Sequence, residues 1–249
     1  MQRGLTPSPT DARSTRRRSV CHDARVLELT LLHRDDRIAA FAKPSGLLVH
    51  RGYGDDEVVA VELARAAAGV RVHPVHRLDR ATSGVLLFAL DPECAAALGA
   101  AFEHGRVKKT YLALVRGVAP DEGLIDHPVP KHEDGPRVAA VTAFRRRHAG
   151  ERWSLVEARP KTGRFHQIRR HLKHISHPIV GDVNYGKGDV NRLFRERWSL
   201  RRLALHAAAL RFTHPFTGEE LIIKAGLPVD LAGPFAELGI PAEALFVEG

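Results

Sequence analysis

The chain has 249 residues, 44% of them hydrophobic and 27% charged, and 38 Lys and Arg against 29 Asp and Glu leave a formal net charge of +9. That length can bury a sizeable core, and the basic surplus predicts attraction to a polyanion through phosphate neutralisation and counterion release. No apolar stretch approaches the roughly 20 residues of a membrane helix, and two scattered cysteines, Cys21 and Cys94, exclude a disulfide framework and a cysteine zinc site and point to a reducing compartment.

Residues 1–25, "MQRGLTPSPTDARSTRRRSVCHDAR", lack the apolar segment of a secretory signal and are rich in Arg, Ser, Thr and Pro. They read as a disordered basic arm, with an organelle transit peptide as the compositional alternative. "RVLELTLLHRDDRIAAFAKPSG" then gives two apolar runs separated by Arg-Asp-Asp, a strand pair closed by the turn chemistry of "KPSG". "DDEVVAVELARAAAG" opens on acids and ends on Gly69, which predicts an amphipathic helix. "GVLLFAL" is a short buried strand, "DPECAAALGAAFEHG" a helix capped by Asp91, and "RVKKTYLALVRG" a strand. Further strands are expected at 137–147, 152–159, 203–213 and 219–224, and helices at 163–176 and 189–198. Residues 118–136 read as a connector. Strand pairs outnumber strand–helix–strand units, so the class is α+β with a largely antiparallel sheet.

The stretch "HRLDRATSG" sets one acid, Asp79, between Arg77 and Arg80, directly before the buried strand. In "GRFHQIRRHLKHIS", Phe165, Ile168, Leu172 and Ile175 form a stripe that should face the core. Arg169 shares the margin of that stripe, whereas Arg164, Arg170, Lys173 and His174 project towards water. An inward arginine needs an anionic partner, because an unpaired buried charge is very costly, and Asp79 is a natural candidate. A guanidinium nearby favours a charged carboxylate, the form that covalent catalysis by Asp requires. The alternatives are a turn or cap role for Asp79 and a snorkelling Arg169 at the helix edge.

"HRLDRATSGVLL", "KKTYLALVRG", "TGRFHQIRRHLKH", "HPIVGDVNYG" and "RLALHAAALRFTHPFTG" together resemble, in that order, the motif series of RluA-type pseudouridine synthases. "KPSGLLVHRG" and "IRRHLKHISHPIVGD" are most similar to the TruC branch, which acts on transfer RNA. The resemblance spans about residues 26–224 and leaves no room for the small RNA-binding domain of many ribosomal-RNA members. It implies a pseudouridine-synthase-like fold with a central cleft, in one catalytic domain over 26–249. Asp79 would then be the catalytic nucleophile, attacking the sugar or the base or acting as a base. Arg77 would fill the space left by a flipped uridine, Tyr111 would stack under the base, and Arg169 would pair with the Asp. Uracil is detached, rotated and rejoined through carbon, with no redox change, so no cofactor is expected. The implied partner is RNA, transfer RNA before ribosomal RNA, and the protein is expected to be a cytoplasmic monomer with no membrane association and no obligate protein partner.

Other signals are set aside. "GDVNYGK" has the spacing of a phosphate-binding loop, but Gly188 stands where a magnesium-binding hydroxyl belongs, so it reads as a plain loop. His166, His171, His174 and His177 read as basic RNA contact sooner than as a metal site. Lys108 and Lys109 extend the basic face. A non-catalytic RNA-binding protein would account for the charge alone. An aspartate-based glycosidase would need a second carboxylate, for which Asp182 is the one candidate.

Overall fold

The computed structural model describes Met1, residues 28–51 and residues 58–248. Cys21 and all but the first residue of the expected basic arm lie outside the described residues. The first two strands, β1 (Thr30–Arg34) and β2 (Ile38–Lys43), pair antiparallel across the Arg-Asp-Asp turn. Asp35 fixes that turn by accepting the backbone N–H of Arg37 and of Ile38, each at 2.8 Å. Helix α1 (Ala60–Ala68) buries Ala60, Ala64 and Ala68 and stops at left-handed Gly69, whose N–H returns to the Arg65 carbonyl. The acidic start expected for it lies outside the described residues. β3 (His73–Pro74) precedes β4 (Ser83–Ala89), and α2 (Pro92–Glu103) starts where the Asp91 carboxylate accepts the Cys94 N–H at 2.9 Å.

The middle of the chain is β5 (Lys108–Arg116), β6 (Glu122–Asp126), β7 (Val129–Pro130), β8 (Arg137–Val138), β9 (Val141–Ala149) and β10 (Trp153–Pro160). Residues 118–136, expected as a connector, therefore contain β6 and β7. The last part is α3 (Gln167–His174), α4 (Gly188–Trp198), β11 (Leu205–Thr213), β12 (Glu220–Lys224), α5 (Val229–Glu237) and α6 (Ala242–Leu245). The sequence had not signalled the last two helices.

Ten strands form one mixed sheet in the order β1-β2-β4-β11-β5-β10-β9-β6, with β12 added on β11 and β3 on β4. β7 and β8 make a separate ribbon. The strand pairs are antiparallel except β4 with β11, which run parallel for two residues only, Ser83 and Gly84 against His206 and Ala207. Beyond that contact β12 takes over the same edge of β11. The α+β, mainly antiparallel expectation is met.

β4 is buried along its whole length because helices cover both faces. Leu86 and Phe88 pack with Phe41 and the alanine face of α1, while Val85, Leu87 and Ala89 pack with Cys94 and Leu98 of α2. Each large side chain so buried contributes roughly 1.5–3 kcal/mol. That outweighs the roughly 0.5–1 kcal/mol entropic cost of a glycine in a strand. Gly84 is needed there: its φ is +122°, and a Cβ would sit 2.1 Å from the Ala207 carbonyl oxygen.

A buried polar link reinforces the same junction. Ser83 Oγ lies 2.8 Å from His206 Nδ1 and accepts from Arg202 Nη2 at 2.8 Å, while His206 Nε2 donates to the Ala225 carbonyl at 3.1 Å. In a neutral ring that donates through Nε2, Nδ1 accepts from the Ser83 hydroxyl. Burial is the main cause that lowers the His206 pKa to about 4, with Arg202 acting in the same direction and the Ala225 bond opposing. An unfolded histidine binds a proton near 6.5. Between those values the unfolded chain therefore holds more protons, and stability falls as pH falls. Urea unfolding should show that His206→Gln removes about 2 kcal/mol of the stability loss between pH 7 and pH 5; equal pH slopes for variant and wild type would contradict this assignment.

Candidate active site

Asp79 lies in the loop from β3 to β4, and its carbonyl accepts the Thr82 N–H at 3.0 Å to close a turn. The "KPSG" segment clamps this loop from outside. Lys43, at the end of β2, is 1% exposed. Its Nζ donates to the carbonyls of Leu47 at 2.7 Å, Pro44 at 2.8 Å and Arg80 at 3.2 Å, so each ammonium donor has an acceptor. Gly46 N–H also reaches the Arg80 carbonyl at 2.8 Å, and Ser45 Oγ donates to the Ala81 carbonyl at 2.8 Å. Burial, and then the Arg202 charge, bring the Lys43 pKa down to about 7 against the attraction of Asp79. Read from sequence as turn chemistry, these residues hold the backbone that carries Asp79.

The helix of Arg169 starts later than its apolar stripe predicts. His166 has φ 52°, a left-handed conformation that stops the helix from extending back to residue 163. Gln167 Oε1 accepts the Arg164 N–H at 3.0 Å and the Thr162 hydroxyl at 2.7 Å, while Nε2 donates to the Val141 carbonyl and to Thr142 Oγ1. Phe165 therefore belongs to a turn and lines a cavity, whereas Ile168 and Leu172 enter the core as expected.

Arg169 is inward as the stripe requires, but its principal partner is not Asp79. Nε and Nη2 grip the two oxygens of Asp182, each at 2.8 Å, in a bidentate pair. The remaining nitrogen, Nη1, lies 3.5 Å from Asp79 Oδ2. One guanidinium thus serves two carboxylates, one fully buried and the other with its side chain 26% exposed. Burial alone would lower the Arg169 pKa; the hydrogen bonds and charge of Asp182, then the charge of Asp79, reverse this and raise it. Burial pushes Asp182 upwards, but Arg169 and the backbone amides of Tyr185 and Asn184 hold it below the usual carboxylate range.

Those amides settle the phosphate-loop question. The N–H groups of Asn184 and Tyr185 both point at Asp182 Oδ1, each at 3.0 Å, so the loop is turned onto its own carboxylate. Asp182 is also spent as a second catalytic carboxylate, since it is buried and bonded on both oxygens.

The cavity in front of Asp79 measures about 490 Å³, within the range of small-molecule sites. All four residues singled out in the sequence, Arg77, Asp79, Tyr111 and Arg169, line it. Tyr111 projects from β5 and packs against two core clusters at once. Burial, then the charge of Asp79, push its hydroxyl pKa up, so the phenol stays protonated. Arg77 is exposed at the rim. Lys109 faces the cavity, donates to the Thr162 carbonyl at 3.1 Å and has its pKa brought down to about 8 by burial and then by Arg164. Lys108, expected to share its role, is exposed and does not line the cavity.

His166 also faces the cavity and was not singled out for this. Its Nδ1 is 3.0 Å from the Tyr185 hydroxyl and its Nε2 is 3.8 Å from Asp79 Oδ2. His171 has a different fate: it is buried, 2.9 Å from Thr142 Oγ1 and donating Nε2–H to the His127 carbonyl. Among the described residues, no group of three or more His, Cys, Asp or Glu is arranged to hold a metal ion. No helix among them is long and apolar enough to cross a membrane. An accessible carboxylate, an aromatic wall and several cations in one cavity suit a planar heterocycle attached to a polyanion.

Comparison with known proteins agrees with this chemistry. Residues 37–174, more than half of the chain, match the family model described as RNA pseudouridylate synthase. The chain is 40% identical to the tRNA pseudouridine synthase C of Vibrio cholerae over 85% of its length and 96% of that protein. It is 43% identical to that of Haemophilus ducreyi over 80% of its length and 91% of that protein. Among solved structures, human RNA pseudouridylate synthase domain containing 4 superposes with a TM-score of 0.70 at 29% identity, covering 84% of this chain and 93% of that one. Human RNA pseudouridylate synthase domain containing 1 gives 0.67 at 25% identity, covering 82% and 86%. The fold is that of the pseudouridine synthases, and the chain belongs to the RNA pseudouridylate synthase family, whose members are isomerases acting on RNA.

Proposed function

We propose that the chain converts a specific uridine of transfer RNA to pseudouridine in the cavity beside Asp79. The observation that carries this reading is one accessible carboxylate held 3.5 Å from a guanidinium that a second carboxylate has locked in place. The names of the Vibrio and Haemophilus relatives support transfer RNA as the substrate, and the net charge of +9 supports a polyanionic one.

The isomerisation breaks the bond from uracil N1 to ribose C1′ and forms one from C5 to C1′; C5 gives up a proton and N1 acquires one. Electrons balance within the nucleotide, so this reading calls for no oxidant, reductant or cofactor. Asp79 is the catalytic residue, since its carboxylate is both oriented and open to the cavity. Arg169 holds that carboxylate in place. Tyr111 offers an aromatic face that tolerates rotation of the detached base, and a protonated phenol adds no negative charge beside Asp79. A uridine in structured RNA must leave its stack to enter; Arg77, at the rim, takes the vacated place and meets phosphate with its planar fork. We place the reaction in the cytoplasm, in a monomer whose residues 26–249 act as one catalytic domain.

Asp79→Asn keeps the shape of the side chain and removes its charge. It should fold and bind transfer RNA as the wild type does, while pseudouridine formation drops roughly 10⁴-fold or more. Normal product formation on a competent RNA would overturn the assignment. Asp182→Asn should lower stability by roughly 3 kcal/mol in urea unfolding, because a buried guanidinium loses its main counter-charge. An unchanged midpoint would show that the pair does not hold the site.

A further inference from the structure

The pair formed by His166 and Tyr185 has no part in the reading above, yet both its ends have a direction. The Tyr185 hydroxyl has one hydrogen-bond partner among the described residues, His166 Nδ1 at 3.0 Å. A phenol hydroxyl that donates there leaves the imidazole proton on Nε2. The environment favours the same tautomer, since Nε2 lies 3.8 Å from Asp79 Oδ2 and a lone pair would be repelled by the carboxylate. Burial lowers the imidazole pKa, with Arg169 and Arg170 acting in the same direction against the attraction of Asp79 and Asp182, which favours the neutral ring.

Two aromatic neighbours hold the ring. It stacks on Phe165 with centroids 3.9 Å apart and meets the Tyr185 ring edge-on at 5.7 Å. Tyr185 is itself fixed beneath the guanidinium groups of Arg169 and Arg170, each 5.0 Å from its centroid. The backbone of His166 adopts φ 52°, a left-handed conformation uncommon for residues other than glycine, although His enters it more readily than most. Strain of that sort persists where surrounding contacts enforce it.

Arg169 Nη1 and His166 Nε2 both make their closest approach to the same oxygen, Asp79 Oδ2, at 3.5 and 3.8 Å. The second distance is too long for a hydrogen bond in the free protein; such contacts often tighten when substrate fills the site. We propose that His166, aimed by the Tyr185 hydroxyl, is a positioning residue that fixes the rotation of the Asp79 carboxylate, so that Oδ1 is the oxygen presented to the flipped nucleotide. This rests on Asp79 being the catalytic group.

The test is single-turnover pseudouridine formation, with transfer-RNA affinity and thermal midpoint measured in parallel on the full chain. His166→Asn tolerates the left-handed backbone but is too short to reach Asp79. Its chemical step should slow about 10- to 100-fold, the scale of a misplaced reacting group, with affinity unchanged. His166→Gln carries an N–H at the reach of Nε2 and should recover most of the rate. Tyr185→Phe should slow the step less, and the double variant Tyr185→Phe/His166→Asn should be no slower than His166→Asn alone. A wild-type rate in His166→Asn, a rate loss matched by lost affinity, or multiplicative effects in the double variant would each overturn the proposal. If the thermal midpoint shows that His166→Asn has not folded, Tyr185→Phe decides: a slowed step at intact affinity supports the proposal and a wild-type rate refutes it. Activity in Asp79→Asn would instead remove the reading on which it rests.

Discussion

The Arg169 side chain is 7% exposed, and a guanidinium so placed has surrendered most of its hydration. Asp182 compensates with two short, parallel hydrogen bonds, and its own charge is met in turn by two loop amides. What remains is one free corner of the guanidinium, and Asp79 lies beside that corner. The arrangement separates two tasks that a single ion pair would merge. Asp182 neutralises the buried cation and fixes its geometry, and Asp79 is thereby left to face the cavity. A carboxylate saturated like Asp182 could hold a site together but could not react in it.

The rest of the fold brings three distant segments to that point. The parallel contact of β4 with β11 lasts only two residues, and the close approach at Gly84 starts β4 directly after the Asp79 loop. Lys43 ties the Arg80 carbonyl of the same loop to the end of β2. Gln167, buried and bonded to β9 and to the preceding turn, sets where α3 begins and hence where Arg169 points. Lys43 and Gln167 are polar groups desolvated at some cost and satisfied by specific partners. They fix geometry more tightly than apolar packing alone does.

The sequence made the central strands legible because their apolar runs are long and their turns are marked. It also placed Asp79, Arg77, Tyr111 and Arg169, which line one cavity as the motif order implied. What it hid was tertiary. Nothing in the spacing of Asp182 from Arg169 distinguishes a bidentate partner from a loop acid. The Asp-Val-Asn-Tyr-Gly stretch carried a turn signal whose consequence appears only when the loop folds onto its own carboxylate. Lys43 was passed over because lysines are rarely buried. His166 was grouped with neighbouring histidines because a left-handed residue inside an apparently helical stripe leaves no trace in periodicity. Helix α5 was missed for a local reason: Pro228, Pro234 and Gly233 are breaker signals, yet Leu231 and Phe235 bury enough apolar surface to override them.

We propose that the nucleotide reacts against a carboxylate that stays paired with the Asp182-locked guanidinium. The most direct measurement is a crystal structure of this chain bound to its pseudouridine-containing product RNA. It should show the modified base in the cavity against Tyr111, Asp79 still within ion-pair distance of Arg169, and Arg169 still gripped by Asp182. A structure in which Arg169 has swung out to an RNA phosphate, or in which the base lies away from Asp79, would contradict it.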